Sequence, residues 1–170
     1  MRAILLAAVL ITIQRFLELR VARRNQNWAL QHGAKEYGAA HYPLFFILHP
    51  GWMLGWIVEA ILRGARLSKG WWLWLTLFAA AQGLRYWAIS SLGRLWNTHI
   101  LIVPDAQLVR KGPYRFLPHP NYVAVALELA AVPMLFGAWL TALIASLLNA
   151  ALLLGLRIPA EAAALREMEK

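Results

Sequence analysis

Long apolar stretches separated by short polar segments run through the whole 170-residue chain. A helix needs about 20 largely apolar residues to cross a bilayer. Three stretches meet that requirement, at approximately residues 3–22, 42–62 and 71–92. The first is followed by no small-residue cleavage site of the kind that ends a signal peptide, so we interpret it as a retained membrane helix.

A fourth apolar region, residues 122–156, is too long for one crossing. As a single helix rising about 1.5 Å per residue it would span roughly 50 Å. Pro133 and Gly137 predict a break, and therefore a helical hairpin over roughly 122–136 and 139–157. Because its first arm is short, that arm is expected to be tilted, partly re-entrant or packed inside the bundle.

The pattern as a whole predicts an all-α integral membrane protein with about five transmembrane helices. We interpret residues 1–170 as a single membrane domain. Residues 1–92 form a three-helix scaffold, and residues 93–170 hold a polar loop, the hairpin and a C-terminal tail. The tail from residue 159 to 170 is expected to be a short amphipathic helix, with Pro159 suited to its first turn.

Composition excludes several classes of protein. Hydrophobic residues make up 61% of the chain and charged residues 15%, against roughly 45–50% and about 25% in soluble proteins. A chain this small cannot bury so much apolar surface in one core, so the excess must face lipid. A soluble enzyme, a disordered chain and a soluble DNA-binding module are excluded. The chain has no cysteine, and its histidines lack metal-ligand spacing, so no metal site is predicted.

The formal net charge of +9 is explained by the membrane rather than by nucleic acid. The Lys and Arg residues are scattered between apolar stretches and form no basic stripe. If the N-terminus lies outside, far more of them fall in inner segments than in outer ones, and the positive-inside rule favours that orientation. The polar segment 93–121 and the C-terminal tail then share the cytoplasmic face.

Charged residues also occur inside the predicted spans, where they are candidates for function. Two sets lie three or four residues apart and are expected to pair and neutralise each other within the bundle. Arg85 has no local partner, and could reach either Glu128 or a cofactor. The two predicted pairs are Arg15 with Glu18 and Glu59 with Arg63.

The loop ahead of the hairpin is rich in proline and polar residues. In Pro118-His119-Pro120 each proline also restrains the residue before it, so the backbone is stiff. Asn121 is then expected to cap a helix that opens at Tyr122. Taken alone, this segment is typical of a rigid connector between two helices.

Near the C-terminus, Arg157 and Glu161 lie four residues apart, a spacing that lets them share a helix face and pair. Pro159 between them is expected to bend that geometry. Taken alone, the pair is also typical of a snorkelling arginine beside a surface glutamate.

Together these motifs resemble the isoprenylcysteine carboxyl methyltransferase family of membrane enzymes, which use S-adenosylmethionine. The matching residues are Leu108-Val109-x-x-Gly112-Pro113-Tyr114, then His119-Pro120-Asn121-Tyr122, then Arg157-x-x-x-Glu161. Two positions depart from the family. Pro118 stands where the family has an arginine, and Ala162 stands where it has a second glutamate.

The resemblance implies a cytoplasmic cofactor-binding loop, and it implies that Arg157 faces the methyl acceptor. It also implies that the chain is a small bacterial member of the family, located in the inner membrane. The acceptor is then expected to be a small amphipathic molecule, such as an alkylpyrone or alkylresorcinol, rather than a prenylated protein. The cofactor contacts implied are Gln107, Leu108, Val109, Tyr114, His119, Pro120, Tyr122 and Glu161.

The predicted function is methyl transfer from S-adenosylmethionine to a carboxylate or acidic hydroxyl of a lipophilic acceptor. Such an acceptor is already ionised, so alignment and exclusion of water matter more than a strong base. Arg157 would hold the anion bidentately. The alternatives are a phospholipid N-methyltransferase and a non-enzymatic transport or assembly subunit. The expected partners are the acceptor and membrane lipid, without nucleic acid, and the pattern carries no indication of oligomeric state.

This interpretation makes one geometric demand. Tyr122, at the start of the fourth helix, must lie close to Glu161 beyond the fifth, and the two must enclose a nucleoside-sized cavity at the inner leaflet.

Overall fold

The computed structural model describes residues 1–168, most of which are helical. A π-helical turn, Leu153–Arg157, joins the last two helices without a break. Two short strands lie in the loops, β1 (Lys35–Tyr37) and β2 (Ile100–Ile102). The helices are α1 (Arg2–Gln31), α2 (Tyr42–Leu62), α3 (Trp71–Leu92), α4 (Pro120–Leu135), α5 (Trp139–Leu152) and α6 (Ile158–Met168).

All five helices predicted for the bundle are present, and α1 extends nine residues beyond its predicted end at residue 22. Two helical stretches, Ala39–Leu62 and Trp139–Glu167, are long and apolar enough to cross a membrane. The stretch Pro120–Leu135 is apolar but shorter. Five membrane crossings therefore stay a prediction.

The helices pack through small residues and turn their large apolar side chains outward. α3 packs against α4, α4 against α5, and α5 against α2. Alanines fill these contacts, which lets the backbones approach closely, as helices do in lipid. The outward apolar surface is far larger than a soluble protein of this size exposes. Fully or nearly buried alanines include Ala81, Ala88, Ala124, Ala131 and Ala145, and exposed apolar residues include Leu6, Phe16, Ile47, Leu62, Trp72 and Leu147.

The predicted break between α4 and α5 is confirmed. Gly137 has a φ of +73°, a conformation that glycine adopts without strain. The amide of Ala138 donates to the carbonyl of Pro133 at 2.9 Å, which ends α4. Glu59 of α2 then accepts hydrogen bonds from the amides of Leu140 and Thr141, and so satisfies two free donors at the start of α5.

The expectation of an all-α chain is wrong in one detail. β1 and β2 form a two-stranded antiparallel sheet in which Lys35 pairs with Ile102 and Tyr37 with Ile100. Both strands lie in loops whose backbone groups have no helical partner, and pairing satisfies them. The sheet ties the loop after α1 to the loop after α3. The tail helix α6 is confirmed through Met168, and Glu169 and Lys170 lie outside the described residues.

Buried ions join three helices in the middle of the bundle. Arg15 of α1 pairs with Glu18 at 2.6 Å, as predicted. The guanidinium groups of Arg15 and Arg85 both bind Glu128 of α4, and Arg85 also reaches Glu18 at 3.2 Å. Of the two partners foreseen for Arg85, Glu128 is therefore confirmed. Two positive and two negative charges compensate one another, and we call these four residues the ion cluster. The predicted pair of Glu59 and Arg63 is also present, at 2.8 Å.

Candidate active site

The loop between α3 and α4 folds over one end of the bundle and encloses a cavity of about 500 Å³, the outer cavity. Its walls come from β2, from the proline-rich loop, from the first turn of α4 and from α6. Seven of the eight residues predicted to contact the cofactor line this one cavity, although they come from separate parts of the chain. They are Gln107, Leu108, Val109, Tyr114, His119, Tyr122 and Glu161.

Pro120, the eighth, does not line the outer cavity. It is fully buried and forms the first residue of α4. Its missing N–H and fixed φ suit that position, so it starts the helix instead of facing a ligand. The cap predicted at Asn121 is wrong for the same reason, because α4 already begins at Pro120 and its N-cap is His119.

Tyr122 and Glu161 meet as the interpretation requires. The Tyr122 hydroxyl donates a hydrogen bond of 2.6 Å to Oε2 of Glu161, and accepts one of 3.1 Å from Nε of Arg157. The direct pair that the spacing of Arg157 and Glu161 allows does not form within residues 1–168, where the carboxylate of Glu161 contacts Tyr122 and His119. The phenol of Tyr122 bridges Arg157 and Glu161.

Arg157 is 7% exposed and its contacts are with neutral groups. Beside the Tyr122 hydroxyl, its guanidinium donates to the carbonyl of Thr98 at 2.8 Å and lies 5.9 Å from the centre of the Phe45 ring. A buried cation without a carboxylate partner is costly. Its charge is therefore available to an anionic ligand.

Aromatic groups surround the carboxylate of Glu161. The ring of His119 stacks on that of Tyr122 with centroids 5.1 Å apart, and Nδ1 of His119 lies 3.7 Å from Glu161. Burial and the nearby charge of Glu161 raise the pKa of Tyr114 to about 12, so this phenol stays protonated at neutral pH. This wall of the outer cavity thus combines aromatic surface with one negative charge.

The turn that carries Tyr114 depends on glycine. Gly112 has a φ of +59°, and a Cβ there would lie 2.0 Å from Oγ of Ser91 and 3.0 Å from its Cβ. Any larger residue would push the turn away from α3. This contact holds the Gly112-Pro113-Tyr114 turn against the bundle.

A second cavity of about 420 Å³, the inner cavity, extends into the bundle among α1, α2, α4 and α5. Most of its wall is apolar, including Phe45, Met53, Val125 and Leu153. Its side is lined by residues of α1 and α2 that are also exposed on the bundle surface, such as Phe16 and Phe46, so it opens laterally. The two cavities adjoin, because five residues line both: Trp96, Asn97, Asn121, Tyr122 and Arg157.

Sequence reasoning missed the segment directly after α3. Trp96 and Asn97 line both cavities, and Thr98 holds Arg157. His99 stacks on Tyr42 with centroids 3.9 Å apart. The one available signal was a run of polar residues directly after a predicted span, and that signal does not distinguish a site from a connector.

Comparisons with known proteins identify one family and two relatives. The family model described as "Isoprenylcysteine carboxyl methyltransferase (ICMT) family" matches residues 73–167, which contain the whole outer cavity. A Bacillus subtilis (strain 168) protein named "Uncharacterized protein YpbQ" is 44% identical over 164 residues, covering 96% of each chain. A Haemophilus influenzae protein named "Uncharacterized protein" is 26% identical over 155 residues, covering 91% of this chain and 90% of its own. No solved structure matches significantly.

Proposed function

The chain belongs to the isoprenylcysteine carboxyl methyltransferase family, and we propose that it transfers a methyl group from S-adenosylmethionine to an oxygen of a lipophilic acceptor. Family membership supports a membrane methyltransferase. The adjoining of the two cavities at Tyr122 and Arg157 carries the finer proposal. The outer cavity lies under the loop and has charged and polar side chains in a largely apolar wall. The inner cavity is more apolar and reaches the exposed side of α1 and α2.

The outer cavity suits the cofactor in size and chemistry. Its volume of about 500 Å³ lies within the roughly 300–1,000 Å³ typical of small-molecule sites. Leu108 and Val109 offer apolar contact to a nucleoside, and Tyr114 offers an aromatic face. The carboxylate of Glu161 complements the positive charges of a sulfonium and an ammonium group. When bound, S-adenosylmethionine would supply the activated methyl group.

Arg110 offers a reason why the departure at Pro118 is tolerated. Pro118 is exposed at the rim of the outer cavity and brings no charge. Arg110 lines the same cavity and would attract the carboxylate of the cofactor from another position in the loop. A loss of cofactor affinity in Arg110→Gln, with none in Arg23→Gln on the exposed face of α1, would support this assignment.

The inner cavity suits the acceptor. Its apolar wall and lateral opening between α1 and α2 would admit an alkyl or prenyl chain directly from the bilayer. Arg157, at the junction, would hold an acceptor oxyanion against the outer cavity. Because an ionised oxygen needs no strong base, the chain's task is alignment and exclusion of water. His119 would then serve the cofactor through its stacking on Tyr122.

The cation of Arg157 disfavours the alternative of amine methylation. An ammonium headgroup placed at the junction would meet a like charge that no carboxylate within residues 1–168 neutralises directly. We therefore favour a carboxylate or acidic hydroxyl, such as that of an alkylpyrone, over a phospholipid amine. We place the outer cavity on the cytoplasmic side of a bacterial inner membrane, with the N-terminus outside.

Transfer of labelled methyl groups tests the proposal. Purified full-length protein is incubated with methyl-labelled S-adenosylmethionine and lipid extract, and the organic phase is analysed by mass spectrometry. We expect label in an ester or ether of an amphipathic lipid. Label on phospholipid nitrogen would favour the alternative enzyme. If native protein and Arg157→Ala incorporate the same amount, the proposed acceptor site is wrong.

A further inference from the structure

The inner cavity is not apolar throughout, and two polar side chains that line it have unused hydrogen-bonding capacity. Asn149 of α5 is 2% exposed and lines only this cavity. Its Oδ1 is buried and has no hydrogen-bond partner in the described part of the chain. An amide oxygen left this way inside a bundle costs free energy unless a ligand or water supplies a donor.

His49 of α2 lines the same cavity and also presents an acceptor. Its Nδ1 lies 2.8 Å from the carbonyl oxygen of Phe45. A carbonyl only accepts, so Nδ1 carries the proton. In the neutral ring Nε2 then keeps a lone pair, and no donor from residues 1–168 reaches it.

The packing of α2 against α5 brings these two residues to one depth. The helices run antiparallel, with Glu59 bonded to Thr141 at one end and Arg157 beside Phe45 at the other. Asn149 is midway between Thr141 and Arg157 in sequence, so it lies level with the middle of α2. At a rise of about 1.5 Å per residue, the backbone of Asn149 lies within about 5 Å of the backbone of His49, measured along the helix axis. By the same measure it lies about 12 Å from the backbone of Arg157.

We propose that His49 and Asn149 form a second polar subsite in the inner cavity, which binds a hydroxyl group on the body of the acceptor about 12 Å from the oxygen held by Arg157. Within residues 1–168 no hydrogen bond uses the Nδ2 donors of Asn149, and Nε2 of His49 accepts. One ligand hydroxyl that accepts from Nδ2 and donates to Nε2 satisfies both at little cost in size. The preferred acceptor is therefore an amphiphile whose apolar chain carries a hydroxyl in addition to the oxygen that is methylated. The identity of the ligand as a methyl acceptor rests on the proposed function. The contacts of His49 and Asn149 that define the subsite do not.

A matched pair of fatty acids tests the subsite. Decanoate offers a carboxylate to Arg157 and a bare chain to the inner cavity. 10-Hydroxydecanoate adds one hydroxyl, and in the extended molecule its distance from the carboxylate is close to the separation between Arg157 and the subsite. Dissociation constants for both acids are measured by thermal shift of the full-length protein in micelles, with no S-adenosylhomocysteine added. We expect native protein to bind the hydroxy acid about fivefold more tightly, the effect of one or two net hydrogen bonds.

The variants separate the subsite from general effects. Asn149→Leu is nearly isosteric and removes the side-chain amide, and His49→Phe keeps a ring without its nitrogens. We expect each to reduce the preference and the double variant to reverse it. Asn27→Leu, the same change on the exposed face of α1, should keep the native preference. The ratio of two affinities is insensitive to a simple loss of stability.

The outcomes are distinguishable from those of the proposed function. No binding of either acid, equal affinities in native protein, or a preference that survives in the double variant overturns the subsite. Binding of S-adenosylhomocysteine is measured separately, and we expect it to be unchanged in both single variants. If that ligand fails to bind native protein, the proposed function fails while the fatty-acid result still decides the subsite.

Discussion

The hydroxyl of Tyr122 donates a hydrogen bond of 2.6 Å to the carboxylate of Glu161, and so joins the first turn of α4 to α6. The same oxygen accepts from Arg157 at 3.1 Å. One phenol thus connects a negative group of the outer cavity with the cation at the entrance to the inner one. The proposed function depends on this link, because it would align the cofactor in the outer cavity with the acceptor in the inner one.

Tyr122→Phe removes the link and keeps the ring. Hydrogen bonds to charged groups contribute about 1.5–3 kcal/mol, so we expect affinity for S-adenosylhomocysteine to fall about tenfold. The ring stacking with His119 should persist. Calorimetry of the purified protein measures the loss, with Tyr86→Phe on the exposed face of α3 as the control. An unchanged affinity in Tyr122→Phe would show that Glu161 is held by other contacts.

Arg157→Ala should damage acceptor turnover more than cofactor binding. The guanidinium lies at the junction and contacts no charged residue directly. We expect kcat for methyl transfer to fall at least about a hundredfold, as alignment is lost, while the S-adenosylhomocysteine dissociation constant changes by less than about threefold. Arg157→Lys keeps the charge but not the forked geometry, so its kcat should lie between those of native protein and Arg157→Ala. A loss confined to cofactor affinity would assign Arg157 to cofactor binding instead of acceptor binding.

Glu128→Gln should destabilise the bundle strongly. Its carboxylate binds both Arg15 and Arg85, and removing one partner from a buried ion pair costs about 3–5 kcal/mol. Thermal unfolding in micelles should show a lower Tm. The control is Glu36→Gln, which breaks a surface pair with His99 and should change stability by less than about 1 kcal/mol. Equal shifts for the two variants would mean that the ion cluster is not a structural element.

Tyr114 is expected to titrate at a higher pH than a free phenol. Burial and the charge of Glu161 raise its pKa to about 12 in the folded protein, above about 10 for a free phenol. Its contribution to stability is therefore complete below about pH 10 and is lost as the pH rises through about 12. An ultraviolet difference titration of native protein against Tyr114→Phe measures this step. An increment centred near pH 10 would contradict the burial of this phenol.

The helices could be predicted because apolar runs and the break at Pro133 and Gly137 are local signals. The sheet could not, since strands of three residues pair across loops that are distant in sequence. Arg85 had two candidate partners until α3 and α4 were seen to pack side by side. The spacing of Arg157 and Glu161 allows a direct pair, but Arg157 instead reaches Tyr122 and the carbonyl of Thr98, groups that are distant in sequence.

The loop between α3 and α4 was only partly predictable from the sequence. Its motif residues line one cavity because Gly112 holds their turn against Ser91. The lining residues Trp96 and Asn97 carry no motif and were found only through the fold. Asn149 could not be predicted as a site residue either. A single asparagine in an apolar helix indicates a site only once the structure shows that its oxygen lacks a donor.

Calorimetric titration of S-adenosylhomocysteine into the purified protein and into Glu161→Ala tests the central claim most directly. The account predicts saturable binding of one ligand per native chain, with affinity at least about tenfold weaker in Glu161→Ala. Absence of heat at saturating ligand, together with no rise in Tm, would contradict a cofactor site in the outer cavity. Equal binding by both proteins would place the cofactor elsewhere.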